Sequence, residues 1–163
     1  MDAIGLTILS RELAADCAVL TGALDNAADW IRQPGVGRLE ACAYEMNRFY
    51  TVLERMLERI CRSFENHLER NGNYHERLLQ RLTLDIPGLR PAFLPVEALS
   101  DLSELRRFRH LVRHAYDLTL RADRLGELVE MAGRIGVALP GWCDRFASAV
   151  RLEQGWVEGP SGE

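Results

Sequence analysis

Apolar residues recur at alternating spacings of three and four positions through most of the chain, which is the pattern of an amphipathic helix with one buried face. The first such stripe consists of Leu6, Leu9, Leu13, Cys17, Leu20, Leu24, Ala27 and Ile31. The second consists of Leu39, Cys42, Met46, Phe49, Leu53, Met56, Ile60, Phe64 and Leu68. Between them, the segment QPGVG at 33–37 combines a proline with two glycines and predicts a helix stop and a tight turn. The pattern therefore predicts two long, antiparallel neighbouring helices.

The middle of the chain predicts shorter helices separated by an irregular connection. Asn73, with a glutamate three residues later, has the spacing of a capping box and opens a short helix over 74–84. The segment 85–95 contains three prolines and cannot form a regular helix. A helix then resumes at Pro95 or restarts at Asp101. Its apolar stripe consists of Leu102, Leu105, Phe108, Val112 and Ala115.

Two further helices are predicted near the C terminus. The first has an apolar stripe of Leu125, Leu128, Ala132 and Ile135, and GVALP at 136–140 is predicted to break it. The last has Trp142, Phe146, Val150 and Trp156. No segment shows the alternation typical of strands. We predict an all-α, up-and-down helical bundle of five or six helices, with a single domain over 1–157 and a flexible tail over 158–163.

Composition agrees with one helical domain. The chain has 163 residues, of which 47% are hydrophobic and 27% charged, and all its basic residues are arginine. Apolar runs are far shorter than the roughly 20 residues of a membrane span, and no basic start precedes them as in a secretory signal. We therefore expect a cytoplasmic protein without membrane contact. The four cysteines, Cys17, Cys42, Cys61 and Cys143, lack metal-type or redox-type spacing and are expected to be reduced and packed.

The segment ELRRFRHLVRHAYD, residues 104–117, contains four arginines, two histidines and a tyrosine. At about 100° per residue, Arg109 falls on the apolar stripe of its helix, so its stem should lie against the core and its guanidinium should emerge at a seam. His110 and His114 share a different face at i, i+4. Arg109 and His114 are about 140° apart on a straight helix, so one chain need not bring their tips together.

Three interpretations fit this segment. The arginines and histidines could form an ordinary solvated face. His110 and His114 could bind a metal ion with Asp117 or His75 as third ligand, although the neighbouring arginines would repel a dication. Alternatively, the segment could be an anion-binding and proton-transfer site in which an arginine holds a phosphate and a histidine transfers protons.

The residues RHLVRHAY, from Arg109 to Tyr116, resemble the R-x4-H-x-Y signature of the HepT-like toxins in the HEPN class of small all-α ribonucleases. Long helices followed by a late motif are also similar to that class, and the fold implied is HEPN-like. One position departs from the pattern. Family members often have an asparagine directly after the arginine, whereas this chain has His110, whose role is left open between substitute, additional catalytic group and bystander.

The resemblance implies a metal-independent endoribonuclease that acts as the toxin of a type II toxin-antitoxin system. It implies Arg109 and His114 as catalytic residues, a homodimer with a site at its seam, and no cofactor or metal. It also implies that a partner nucleotidyltransferase antitoxin of the MNT type neutralises the toxin by AMPylation of Tyr116. RNA is the implied substrate and DNA is not. The supporting or RNA-binding residues are His110, Arg113, Asp117, Arg106 and Arg107.

A second function stays open at this point. Relatives of this class are also interpreted as noncatalytic helical binding partners, or substrate-binding subunits, of a nucleotidyltransferase. A third possibility is a structural helical dimer in which the motif is accidental.

Overall fold

Five α-helices and one short 3-10 helix form the fold, as seen in a computed structural model that describes residues 1–65, 74–114 and 119–156. The α-helices are α1 (Ala3–Arg32), α2 (Arg38–Phe64), α3 (Tyr74–Leu82), α4 (Leu99–His114) and α5 (Ala122–Glu153). The 3-10 helix, Val96–Ala98, directly precedes α4. Within the described ranges the chain has no strand, and the predicted all-α bundle is confirmed.

The first two helices form the predicted antiparallel hairpin. The carboxylate of Asp2 accepts a 2.7 Å hydrogen bond from the amide of Gly5, which caps the first turn of α1. In the turn after α1, Gly35 and Gly37 have φ angles of 124° and 81°, which only glycine adopts without strain. The guanidinium of Arg38 then donates a 2.9 Å hydrogen bond to the carbonyl of Ile31 and closes the turn.

The core lies where α2 packs between α1 and α4 and where α5 packs against all three. Phe64 and Phe93 each meet Phe146 of α5 edge-on, with ring centroids 5.6 Å apart. The contact between α1 and α5 is close, because a Cβ atom at Gly136 would lie 3.2 Å from the side chain of Leu24. Glycine at this position therefore lets the two helices approach each other.

A fully buried arginine fixes the irregular connection between α3 and α4. Arg90 has no exposed surface, and its Nε donates a 2.8 Å hydrogen bond to the carboxylate of Glu65 at the end of α2. Its other nitrogens donate to the carbonyls of Arg81 at 2.9 Å and Leu84 at 3.1 Å. A buried charge is tolerated only when it is paired and hydrogen-bonded. Arg90 therefore holds a segment that has no helix of its own.

The predicted break at 136–140 is wrong. Helix α5 runs without interruption from Ala122 to Glu153, with Pro140 inside it. Pro140 is exposed, whereas Leu139 and Trp142 beside it are buried. The apolar stripe therefore continues across the proline, and burial of that stripe outweighs the lost hydrogen bond to the carbonyl of Gly136.

Several expectations fall partly outside the described residues. Helix α3 begins at Tyr74 within the predicted segment, but its expected cap Asn73 is not described, and neither is the tail 158–163. Helical structure resumes directly after Pro95 with the 3-10 helix, as the first predicted alternative has it, and α4 begins at Leu99, two residues before the other alternative at Asp101. The limits of the single domain stay a prediction. In the described ranges, every helix falls short of the length and apolar content that a membrane crossing requires.

We predict that Pro140→Ala raises the free energy of unfolding by roughly 1–3 kcal/mol, because alanine restores an N–H donor in the interior of a continuous helix. The adjacent Gly141→Ala is the matched control. A Cβ atom there meets nothing within 4 Å, so it should add about 1 kcal/mol through helix propensity alone. Urea unfolding measures both changes. Loss of stability in both variants would instead place a helix break at this point.

Candidate active site

Arg109 lies at the seam between α4 and α2, on the face that its helical position predicts. Its side chain is 13% exposed, and its Nη2 lies 3.0 Å from Oε2 of Glu54. Its Nε donates a 3.3 Å hydrogen bond to Oγ1 of Thr51. The guanidinium carbon also lies 5.9 Å from the ring centroid of Tyr50, within the range of a cation–π contact. One turn of α2 therefore orients the whole guanidinium.

Glu54 is shared between two partners. Its side chain is 8% exposed, and its second oxygen is in close contact with Nδ1 of His75 at the start of α3. The same carboxylate influences Tyr50: burial raises the pKa of the tyrosine hydroxyl, and the negative charge of Glu54 adds to that increase. Arg109 acts in the opposite direction. Glu54 is thus the centre of a half-closed polar cluster that joins α2, α3 and α4.

Sequence reasoning missed Glu54. It sits in LERMLER, residues 53–59, where charges beside leucines look like the solvated side of an amphipathic helix. One signal was available: Glu54 directly follows Leu53 of the apolar stripe, so it borders the buried face. His75, which the metal interpretation offered as a ligand, contacts Glu54 on this side of α4.

His110 and His114 lie on a different face of α4 and are both exposed. Their ring centroids are 4.5 Å apart with the planes tilted by 45°, as expected for an i, i+4 pair. Within the described ranges, no group of three or more His, Cys, Asp and Glu side chains could hold a metal ion. Asp117, the other suggested third ligand, lies outside those ranges, as does Tyr116.

The remaining arginines of the segment divide between two environments. Arg106 faces α3, with its Nη2 3.8 Å from a carboxylate oxygen of Glu76 and its Nε buried. Arg107 is mostly exposed and pairs with Glu104 on its own helix. Arg113 is exposed near the end of α4. The predicted basic cluster is therefore split, with part of its charge already compensated.

A surface groove of about 390 Å³ lies beside the exposed face of α4, between that helix and the start of α5. Its apolar lining includes Phe108, Leu111 and Leu128. Arg107 and Arg124 stand at its rim, and both pair with Glu104, which Arg124 approaches to 2.6 Å. The arginines at this rim therefore present less net charge than their number suggests.

Within one chain, the two residues expected to act together occupy separate environments. Arg109 contacts α2, whereas His114 is exposed and contacts His110. The predicted divergence on the helix is thus present in the fold. In a single chain, the guanidinium of Arg109 and the imidazole of His114 therefore do not face one common binding site.

We predict that Glu54→Gln and Arg109→Gln show a coupling energy on the order of 1–3 kcal/mol in a double-mutant cycle, because each single change leaves the other group poorly paired at a half-closed site. The exposed pair of Asp29 and Arg32, 61% and 71% exposed, is the matched control. Its coupling should stay below about 0.5 kcal/mol. Equal coupling in the two pairs would contradict the proposed importance of Glu54.

Comparison with known proteins identifies the family of this chain. Residues 41–150, from early α2 to late α5, match the family described as HepT-like protein. Neither the comparison with curated proteins nor that with solved structures gives a match. The matched span is more than half of the chain and contains Arg109, His114 and the cluster around Glu54. The chain therefore belongs to the HepT-like protein family.

Proposed function

We propose that this HepT-like protein is a metal-independent endoribonuclease and the toxin of a type II toxin-antitoxin system in the cytoplasm. The observation that supports this most directly is the fixed orientation of the Arg109 guanidinium at the seam between α2 and α4. This guanidinium is held in one plane by Thr51 and Glu54, yet it lies at a seam, with His114 exposed five residues later on the same helix. An oriented guanidinium and an accessible imidazole are the two kinds of group that phosphoryl chemistry on RNA requires.

The reaction needs a proton acceptor, a proton donor and a group that stabilises the charge on the phosphoryl oxygens. The 2'-hydroxyl of the RNA attacks the adjacent phosphorus, the bond from phosphorus to the 5'-oxygen breaks, and a 2',3'-cyclic phosphate forms. His114 either takes the proton of the 2'-hydroxyl or gives one to the leaving 5'-oxygen, since histidine is the side chain that most often transfers protons in acid–base catalysis. The N–H donors of Arg109 that do not face α2 stabilise the charge on the phosphoryl oxygens. DNA lacks the attacking hydroxyl and is not a substrate.

Because Arg109 and His114 lie apart in one chain, a shared site requires a second copy of the protein. In a two-fold dimer the same segment of each chain meets its counterpart, so exposed residues of α4 are brought towards the seam residues of the other copy. We propose a homodimer in which Arg109 of one protomer and His114 of the partner subunit line one cleft. Exposure of Leu111 on the same helix agrees with an apolar contact there.

The supporting residues divide according to their contacts. His110 contacts His114 and would orient its ring, and Arg113, exposed beside it, would bind RNA phosphates. Arg107 is a weaker RNA contact because Glu104 already compensates its charge. Arg106, turned towards Glu76, supports the position of α4. Asp117 stays a proposed supporting residue.

Tyr116 is proposed as the control point. Transfer of AMP from a nucleotidyltransferase antitoxin to its hydroxyl would add a bulky anion two residues after His114. A fixed negative charge at that place would repel the RNA backbone. It would also pair with Arg109, which is proposed to bind the RNA phosphate. This mode of neutralisation rests on the R-x4-H-x-Y motif and on membership of the family.

One observation favours a second candidate, a noncatalytic binding partner of a nucleotidyltransferase. The ion pair of Arg109 with Glu54 is also what a purely structural arginine would form. In that case the protein would form a stable complex with the enzyme, and the free protein would cleave no RNA. Cleavage by the protein alone separates the two candidates.

We predict that the purified protein cleaves total RNA in the presence of EDTA, and that Arg109→Ala or His114→Ala slows cleavage by about 10²-fold or more. His67→Ala is the matched control, since it removes a histidine outside the R-x4-H-x-Y motif and should leave the rate unchanged. The cleavage rate on a labelled RNA is the measurement. Full activity in both site variants, or none in the wild type, would reject the catalytic proposal.

We predict that mixing inactive Arg109→Ala and His114→Ala proteins restores activity. If each site takes one residue from each chain, mixed dimers contain one complete site, and random exchange should return about a quarter of wild-type activity. The mixture should be incubated long enough for subunits to exchange. A mixture that stays inactive after confirmed exchange would contradict a site shared between subunits.

A further inference from the structure

Two of the four cysteines face each other across the contact between α1 and α5. Cys17 and Cys143 line the same groove, although 125 residues separate them in sequence. Both lie about two helical turns from the point where Leu24 meets Gly136, so the close approach of the two helices extends to the thiols. Sequence spacing gave no sign of this pair.

The pair is open to small molecules. Both cysteines are partly exposed and line a groove of about 460 Å³, together with Ala14 and Pro140. The other two cysteines are different: Cys42 and Cys61 are buried, and burial raises the pKa of each to about 11. At neutral pH those two therefore hold very little thiolate and lack access.

The two facing thiols are not equivalent. The neighbouring thiol of Cys143 lowers the pKa of Cys17, while burial and the nearby carboxylates of Asp16 and Asp144 act against that effect. The neighbouring thiol of Cys17 and burial raise the pKa of Cys143. Cys17 is thus the better nucleophile, and Cys143 keeps the proton that a leaving oxygen needs.

We propose that Cys17 and Cys143 are an oxidation site that takes peroxides and forms a disulfide between α1 and α5. The thiolate of Cys17 attacks one peroxide oxygen, the O–O bond breaks, and the leaving oxygen takes a proton. The sulfur is oxidised to a sulfenic acid as the peroxide is reduced. The sulfur of Cys143 then displaces the sulfenic oxygen, the S–S bond forms, and a second water leaves with the proton of Cys143. In sum, two thiols and hydrogen peroxide give a disulfide and two waters.

This disulfide would close a loop that contains most of the chain. A cross-link of that length restricts the unfolded chain strongly while it joins two helices that already touch in the folded state. We therefore expect the oxidised protein to melt on the order of 10 °C above the reduced protein. The site is independent of the proposed ribonuclease activity.

The test is peptide mapping after treatment of the full chain with hydrogen peroxide and alkylation of the remaining thiols. Because every basic residue is arginine, trypsin places the four cysteines in four different peptides, residues 12–32, 39–48, 60–62 and 135–145. We expect 12–32 to be joined to 135–145, the intact mass to fall by two hydrogen atoms, and a reductant to reverse both changes. Cys42→Ala should leave the cross-link intact, whereas Cys17→Ser or Cys143→Ser should abolish it.

Single-cysteine variants test whether Cys17 is oxidised before the disulfide with Cys143 forms. In Cys143→Ser, the sulfenic acid at Cys17 should accumulate and be captured by dimedone, whereas in Cys17→Ser the thiol of Cys143 should stay free. The proposal is overturned if Cys17 is oxidised to sulfinic acid while Cys143 is alkylated in the wild type. It is also overturned if the disulfide joins two chains, or if peptide 39–48 or 60–62 takes part in it.

Discussion

The ion pair between the buried carboxylate of Glu54 and Arg109 is the interaction on which the candidate site depends. A charge with so little exposure must be paired, because an unpaired carboxylate at that depth would cost several kcal/mol. Arg109 satisfies one of its oxygens and His75 contacts the other. Rotation of α4 by a single residue, about 100°, would separate the pair. The pairing therefore fixes which face of α4 turns to α2, and by the same geometry it turns His110 and His114 outward.

A second carboxylate of α2 serves the next segment in the same way. Glu65 directly follows the last residue of α2, where its backbone N–H still donates a hydrogen bond to the carbonyl of Cys61. It receives the buried guanidinium of Arg90 and that of Arg81. Arginine suits this role because its charge is permanent and its fork can serve a carboxylate and backbone carbonyls together. Helix α2 thus organises the chain that follows it through pairs of buried charges.

The periodicity of apolar residues predicted the helices and their buried faces, because both are determined by residues close together in sequence. The stripes of α1 and α2 predicted both helices, and the position of Arg109 on its own helix predicted its place at a seam. The predicted end of α2 was wrong: the helix ends at Phe64, before Leu68 and the NGN segment that follows it. The partners of these side chains were beyond reach, because Glu54 and Arg109 are distant in sequence and meet only through packing. The same holds for Cys17 and Cys143. At Pro140 a local breaker was outweighed by burial of the stripe on both sides, which a sequence pattern alone does not measure.

The proposed function reduces to one geometric claim: a guanidinium from one protomer and the imidazole of the partner subunit flank a single phosphate. The most direct measurement is a crystal structure of the protein bound to RNA with a 2'-O-methyl group at the scissile position, which prevents cleavage. The account predicts Arg109 and His114 of the partner subunit within hydrogen-bond distance of the same phosphate. RNA bound elsewhere, with Arg109 closed off by Glu54 and His114 facing solvent on the outside of the assembly, would contradict it.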